Sequence, residues 1–283
     1  MMIKKILVPL DGDDLNRAVL ETALAGARRF QAHMEVLYVR PNPREMLPYA
    51  TLGMSASMKR SVIEAAERSS TENAQQVRAA FEQFCRDHDV AILDKPPAPD
   101  TVTAAWREES GHAGEALLRH GRLSDLIFVP RPAPGAARAE TLETALLETG
   151  QALVIVPPKA HTCVASRITI GWNSSAEAAR AVAEAMACLT AADAVAVLAA
   201  RKRAASAGEL LDYLGWHGVK AELKIFEVGS RSVGEVLLKE SHALGADLLV
   251  IGGYTHARAR QLLFGGVTSH VLKHADIPVL MAH

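Results

Sequence analysis

Aromatic side chains are scarce in this chain. Phe, Tyr and Trp together make 5% of it, while hydrophobic residues of all kinds make 49%. Its cores must therefore be filled by closely packed Val, Leu, Ile and Ala. Cysteine is scarcer still. Cys85, Cys163 and Cys188 show no paired or metal-type spacing, and they read as reduced thiols of a cytoplasmic protein. Net charge is nearly absent: a formal value of −1 gives no global field to draw the chain to nucleic acid or to an acidic membrane. Long apolar runs are missing too. The opening MMIKKILVPLDG sets two lysines before apolar residues, but Pro9 and Asp11 end the run, so it reads as neither signal peptide nor membrane span. Familiar catalytic patterns are also lacking. There is no G-x-x-x-x-G-K-[ST] and no G-x-S-x-G, and Ser110 with His112 forms no nucleophile constellation. No catalytic residue is expected.

What is present is a repeated order of apolar runs and amphipathic stretches. A length of 283 residues suits two domains, expected at 1–160 and 161–283. In the first, Ile3–Leu10 reads as a buried parallel strand, with Asp11 at its carboxyl end. Asp13 or Asp14 caps a helix in which Leu15, Val19, Ala23 and Phe30 fall near one face. Met34–Val39 is a second strand. Arg40–Lys59, with Pro41, Pro43, Pro48, Gly53 and three methionines, reads as a connection or as a lid or oligomer contact. A long helix, Ser61–Asp87, precedes a short strand at Val90–Leu93, with Trp106 in the chain beyond. A helix at His112–His120, a strand at Asp125–Val129, a helix at Leu142–Glu148 and a strand at Leu153–Val156 complete the half. Pro157-Pro158-Lys159 marks the linker.

The second half repeats that order. Arg167–Trp172 echoes the opening strand, and Ser174 with Glu177 has capping-box spacing before a helix face of Ala178, Val182 and Met186. Ala194–Leu198 is a strand, Leu210–Trp216 a helix and Ala221–Val228 a strand. Ser232 and Glu235 offer another capping box. GEVLL from Gly234 echoes GEALL from Gly114, and DLLVI from Asp247 echoes DLIFV from Asp125. Alternating strand and helix in each half predicts an α/β fold of two tandem doubly wound parallel-sheet domains.

The last stretch, Ala246–His283, carries the sharpest pattern. Leu248–Ile251 ends in Gly252-Gly253. A basic segment follows with His256, Arg258 and Arg260, which either reach an anion or form a solvated loop. Gly265-Gly266 opens an amphipathic stretch with Val267, Val271 and Leu272, and Pro278 leads into a final apolar run. Strand, loop, glycine turn, helix, strand is how a phosphate cradle is built, because glycine lets backbone N–H groups approach an anion at a helix N-terminus. His270 and His274 stand at metal-ligand spacing on that helix, but no third ligand is evident, and with Lys273 they suit its C-terminal dipole. No metal site is expected.

This stretch resembles the universal stress protein family, whose pattern is Gly, two residues, Gly, nine residues, Gly, then Ser or Thr. Gly252 and Gly265 match the first and third positions. Thr255 stands where the second glycine belongs, and its Cβ makes φ > 0 costly. Gly266 stands where the Ser or Thr belongs and removes a hydroxyl, with Thr268 close by. The resemblance covers nearly the whole chain. It implies the adenine nucleotide alpha hydrolase-like fold, and ATP with Mg²⁺ at Gly252, Thr255, Gly265, Gly266, Val267 and Thr268. Asn173 and Ala199, at the strand ends, would flank ribose and base. Family members that bind ATP place an Asp where Asn173 stands, and a turn role for Asn173 is equally open. The first half keeps Asp11 but has Pro130, without an N–H, in the place of Gly252. The resemblance thus implies a cytoplasmic, non-catalytic stress-response regulator with at most one nucleotide site, in the second half. Alternatives are a nucleotide-independent protein-interaction module and a slow ATP hydrolase. It further implies that Ile277–Met281 pairs with Leu153–Val156, making the chain an intramolecular pseudo-dimer, with a homodimer of whole chains left open.

Overall fold

The computed structural model describes residues 2–12, 16–42, 54–95, 101–131, 136–253 and 266–283. The first half runs β1 (Lys5–Leu10), α1 (Asn16–Phe30), β2 (His33–Arg40), α2 (Ala56–Asp87), β3 (Ala91–Ile92), β4 (Thr103–Ser110), α3 (Ala113–Gly121), β5 (Leu126–Pro130), α4 (Ala136–Glu148) and β6 (Ala152–Val156). The second runs β7 (Arg167–Trp172), α5 (Ala176–Glu184), α6 (Met186–Ala191), β8 (Ala194–Ala200), a single 3-10 turn (Arg201–Arg203), α7 (Ala204–Trp216), β9 (Ala221–Phe226), α8 (Val233–Ala243), β10 (Leu248–Gly252), α9 (Val267–His274) and β11 (Val279–Ala282).

The strands form one eleven-stranded sheet in the order β3-β4-β2-β1-β5-β6-β11-β10-β7-β8-β9. Every neighbouring pair is parallel except β6 and β11, which are antiparallel, with Leu280 opposite Val154. The pairing expected between the last strands of the two halves is therefore present. All residues of β6 and β11 are buried, so this junction is a core rather than a linker. Side chains alternate between two faces. Ile6, Val8, Val154, Ile170, Val197 and Leu280 join one cluster, with α1, α2, α5 and α7 over them. Leu7, Leu153, Leu249 and Met281 join another, with α3, α4, α8 and α9. Helices on both faces of a mainly parallel sheet make the predicted doubly wound α/β architecture.

The repeated segments that begin Asp-Leu, DLIFV and DLLVI, have a shared structural task. Asp125 Oδ2 accepts from the amides of Lys4 and Lys5 at 2.7 and 2.9 Å, and the Asp125 amide donates to the Lys5 carbonyl at 2.8 Å. In the second half, Asp247 Oδ1 accepts from Ser166 and Arg167 at 3.0 Å each, and its amide donates to the Arg167 carbonyl at 2.9 Å. Each aspartate thus pins the start of one strand to its neighbour by satisfying backbone donors that begin the sheet.

Four expectations change. The chain around Trp106 is a full strand, β4, paired along eight residues with β2, whereas the third strand expected at Val90–Leu93 is only the two-residue β3 outside it. Arg107, Glu108 and Glu109 hide β4 in the sequence, because its second half is not covered and has no need of apolar alternation. α2 begins at Ala56, where the Ser55 hydroxyl accepts from the Met58 amide at 3.3 Å, and α4 and α7 also begin earlier than predicted. Met186 does not extend the face of α5, because the helix breaks at Ala185 and α6 begins there. The α5 cap is Ser175, not Ser174: its hydroxyl accepts from the Ala178 amide at 3.2 Å. The helix caps at Asp13 and Asp14, Leu15, and most of the Pro- and Met-rich connection lie outside the described residues.

Candidate functional site

In an open parallel sheet, ligands bind beyond the carboxyl ends of the strands. In the second half, β7, β8 and β10 end together beside the start of α5 and the N-terminus of α9. β7 runs out through Trp172 into a tight turn. Asn173 Oδ1 accepts from the Ser175 amide at 3.0 Å, and Ser174 takes φ +57°, a conformation that an L-residue adopts at a cost. The turn role weighed for Asn173 is thus real, and its Nδ2 has no hydrogen-bond partner among the described residues. Across the turn, Arg203 Nη1 donates to Ser174 Oγ at 3.1 Å, and Trp172 Nε1 donates to the Ser206 carbonyl at 3.1 Å. Neither Arg203 nor Trp172 was singled out from the sequence. Arg203 lies in an ordinary basic run, and only the turn after β8 carries it back over β7. Glu177 also faces this end. Its own backbone N–H and the Ser175 hydroxyl hold its carboxyl below the usual range.

The glycines of the cradle do different things. A Cβ on Gly252 would stand 2.6 Å from the Ala178 nitrogen and 2.8 Å from the Glu177 carbonyl carbon. Gly252 is therefore needed for α5 to lie against the end of β10, whatever else approaches. Gly253 donates to the Ala282 carbonyl at 2.8 Å and continues the pairing with β11. Gly266 precedes α9 with φ +99° and ψ 172°, a region that effectively requires glycine, and a Cβ there would meet nothing within 4 Å. A Ser or Thr at Gly266 would be strained in that backbone. Gly266 provides no side-chain cap, and among the described residues no side chain caps the amides that open α9 at Val267 and Thr268. Gly234 of α8 sets the position of that end, since a Cβ on it would fall 2.9 Å from His270 Cβ and 3.0 Å from the Val267 carbonyl.

Asn173, Gly252, Gly266, Val267 and Thr268 thus belong to elements that converge at one end of the sheet. Ala199 pairs with Trp172 across β7 and β8 and is 0% exposed. Thr255 and Gly265, together with His256, Arg258 and Arg260, lie outside the described residues. On α9, His270 and His274 stack at 4.3 Å and His274 Nδ1 bonds the His270 carbonyl at 2.9 Å. Among the described residues no group of three His, Cys, Asp or Glu side chains is placed to hold a metal, and no helix is long and apolar enough to cross a membrane.

The same end of the first half is built differently. Tyr38 occupies the register position that Ala199 occupies in the second, opposite Leu10. Its ring stacks on Trp106 at 5.9 Å, Trp106 lies 5.5 Å from Phe81 of α2, and Asn73 of α2 donates to the Tyr38 hydroxyl at 3.0 Å. Burial raises the Tyr38 phenol pKa. Pro130 takes the place of Gly252, opposite Val156 as Gly252 is opposite Ala282. The following residue, Arg131, turns into the second half: its Nη1 donates to the Lys273 and Ala275 carbonyls at 3.1 and 2.9 Å, where α9 ends. Arg131 thus acts as a strut for the other half's helix.

The model of the universal stress protein family matches residues 2–122 and 165–283. No curated protein matches the chain. Among solved structures, a universal stress protein from Archaeoglobus fulgidus DSM 4304 superposes with a TM-score of 0.71 at 14% identity, covering 99% of this chain and 96% of that one. A candidate universal stress protein from Pseudomonas aeruginosa UCBPP-PA14 gives 0.55 at 14% identity, over 99% and 93% of the two chains. Two matched segments, a sheet that joins two like halves, and a fold shared along the full length agree: the chain belongs to the universal stress protein family, as a tandem member with two copies of the unit.

Proposed function

We propose that this protein is a non-catalytic stress-response regulator of the cytoplasm, with one adenine-nucleotide site at most, in the second half. The observation that carries this reading is the asymmetry between the two strand ends. In the second half, α9 opens on Gly266 without a side-chain cap, beside Asn173 and Gly252. In the first, Tyr38, held by Asn73, takes the register position of Ala199, and Pro130 removes an N–H. ATP, with Mg²⁺, would put its phosphates at the N–H groups of Val267 and Thr268 and at the Gly252–Gly266 loop, and its ribose near Asn173 Nδ2. The residues fit an anion better than they fit a base, since Ala199 is covered. A nucleotide there would order the loop and alter the surface offered to a partner.

A second reading, a nucleotide-independent interaction module, is favoured by one observation. Arg203 is engaged with Ser174 and the Asn173 carboxamide oxygen with Ser175, so part of the hydrogen-bonding capacity at the end of β7 is already used within the chain. Calorimetry with Mg-ATP on the intact chain and on Gly265→Asp separates the two. Micromolar binding, about −8 kcal/mol, that is lost in the variant supports the nucleotide site. Binding that survives an anion in the cradle overturns its location, and no heat with either protein supports the interaction module. A phosphate-release assay on the nucleotide-bound protein tests slow hydrolysis, for which no base is assigned; turnover would overturn the non-catalytic reading.

A further inference from the structure

The two edges of the sheet differ. At one, β3 is two residues long and the sequence soon continues into Pro96-Pro97. At the other, β9 presents six residues, AELKIF, without the proline or glycine that commonly blunts an edge. It pairs with β8 on one side and with no strand of the described residues on the other. Ala221, Leu223 and Ile225 lie on one face, where Ala221 and Ile225 pack on the core and Leu223 is 36% exposed. Glu222 and Lys224 lie on the other, with Lys224 Nζ 2.8 Å from Glu240 of α8.

We infer that this edge pairs antiparallel with the same edge of a second copy of the chain. Residues directly opposed in an antiparallel pair share a face. A two-fold axis through the junction must therefore pass at a residue of β9, which leaves few registers. Centring on Glu222 opposes two glutamates and sets Lys220 against Lys224. Centring on Lys224 opposes two lysines. Centring on Leu223 sets Glu222 against Lys224 twice, Leu223 against Leu223, and Ala221 against Ile225. Among these three, only the last is complementary on both faces. Charged residues on an edge ordinarily keep sheets apart. Here the signs alternate along one face, so self-pairing brings unlike charges together. An isologous contact closes on itself, and the short β3 edge cannot continue it, so association ends at a dimer. The antiparallel join of β6 to β11 already uses the same arrangement inside one chain.

Sedimentation of the full chain over a concentration series tests this. The expected species is twice the 30.3 kDa of one chain. Glu222→Lys opposes lysine to lysine at two places and should weaken the dimer about tenfold or more. Glu222→Lys combined with Lys224→Glu restores unlike pairs and should restore the dimer, with circular dichroism confirming that each variant is folded. A chain that stays monomeric throughout, a dimer that Glu222→Lys leaves unchanged, or a folded double variant that stays monomeric would each overturn the inference.

Discussion

A methyl group on Gly252 would sit 2.6 Å from a backbone nitrogen of α5, whereas one on Gly266 would meet nothing within 4 Å and would suffer only from φ +99°. Gly252→Ala should therefore lower the unfolding free energy of the whole protein by about 1–3 kcal/mol, because β10 and α5 must separate. Urea denaturation measures this, and an unchanged midpoint would show that the contact yields freely. The glycine pattern was legible in the sequence, but the reason for Gly252 was not, since nothing local says that α5 begins against the end of β10. Glu35 was missed altogether. It is 6% exposed, in a strand that otherwise reads as apolar, with His120 Nδ1 at 2.7 Å, Lys5 Nζ at 3.0 Å and Arg107 Nε at 3.5 Å. His120 Nε2 lies 2.7 Å from Glu109, so the imidazole bridges two carboxylates. Burial pushes the Glu35 carboxyl up, but hydrogen bonds from His120 and Lys5 outweigh it and hold the pKa below the ordinary 4.5. A depressed carboxyl contributes stability above its unfolded pKa and loses that contribution as pH falls through the folded one. Glu35→Gln should cost about 1–3 kcal/mol at neutral pH, and its difference from the parent should shrink below pH 4.5. A gap that persists in acid would show that packing, not charge, is what the variant lost.

At the scale of elements, α9 is the informative case. It is eight residues long, too short to hold its shape unaided, and it is fixed at both ends by other elements. Gly234 lets α8 approach its first turn, and Arg131 from the first half takes the carbonyls at its last. Arg131→Ala should leave the global fold intact and cost about 1–3 kcal/mol locally, read as faster amide exchange across residues 267–275. Equal exchange in both proteins would mean that water replaces the guanidinium without loss. The helix itself was visible from its spacing and its glycine start. Its support was not, because Arg131 is remote in sequence and sits in a proline-rich stretch without periodicity. β4 was lost for a related reason: half of it is uncovered, and alternation marks only a strand with a face to bury.

At the scale of the molecule, the antiparallel pair of β6 and β11 turns two units into one core. The nine side chains of the two strands are all buried, and the larger ones each contribute about 1.5–3 kcal/mol relative to exposure. Residues 161–283 alone would bare β11 as an apolar edge, and they should self-associate or precipitate, as light scattering would show; a stable monomer would mean that β6 is dispensable. The sequence by itself determined the fold class and the duplication, because apolar periodicity and glycine placement are local and survive being read one residue at a time. Only the tertiary structure decided that Asn73 holds Tyr38 in the first half, that Ala199 is covered in the second, and that Arg131 ties one half to the other. Those outcomes depend on which side chains meet across elements tens of residues apart, and close packing settles such meetings by volume and hydrogen-bond satisfaction, neither of which is written along the chain.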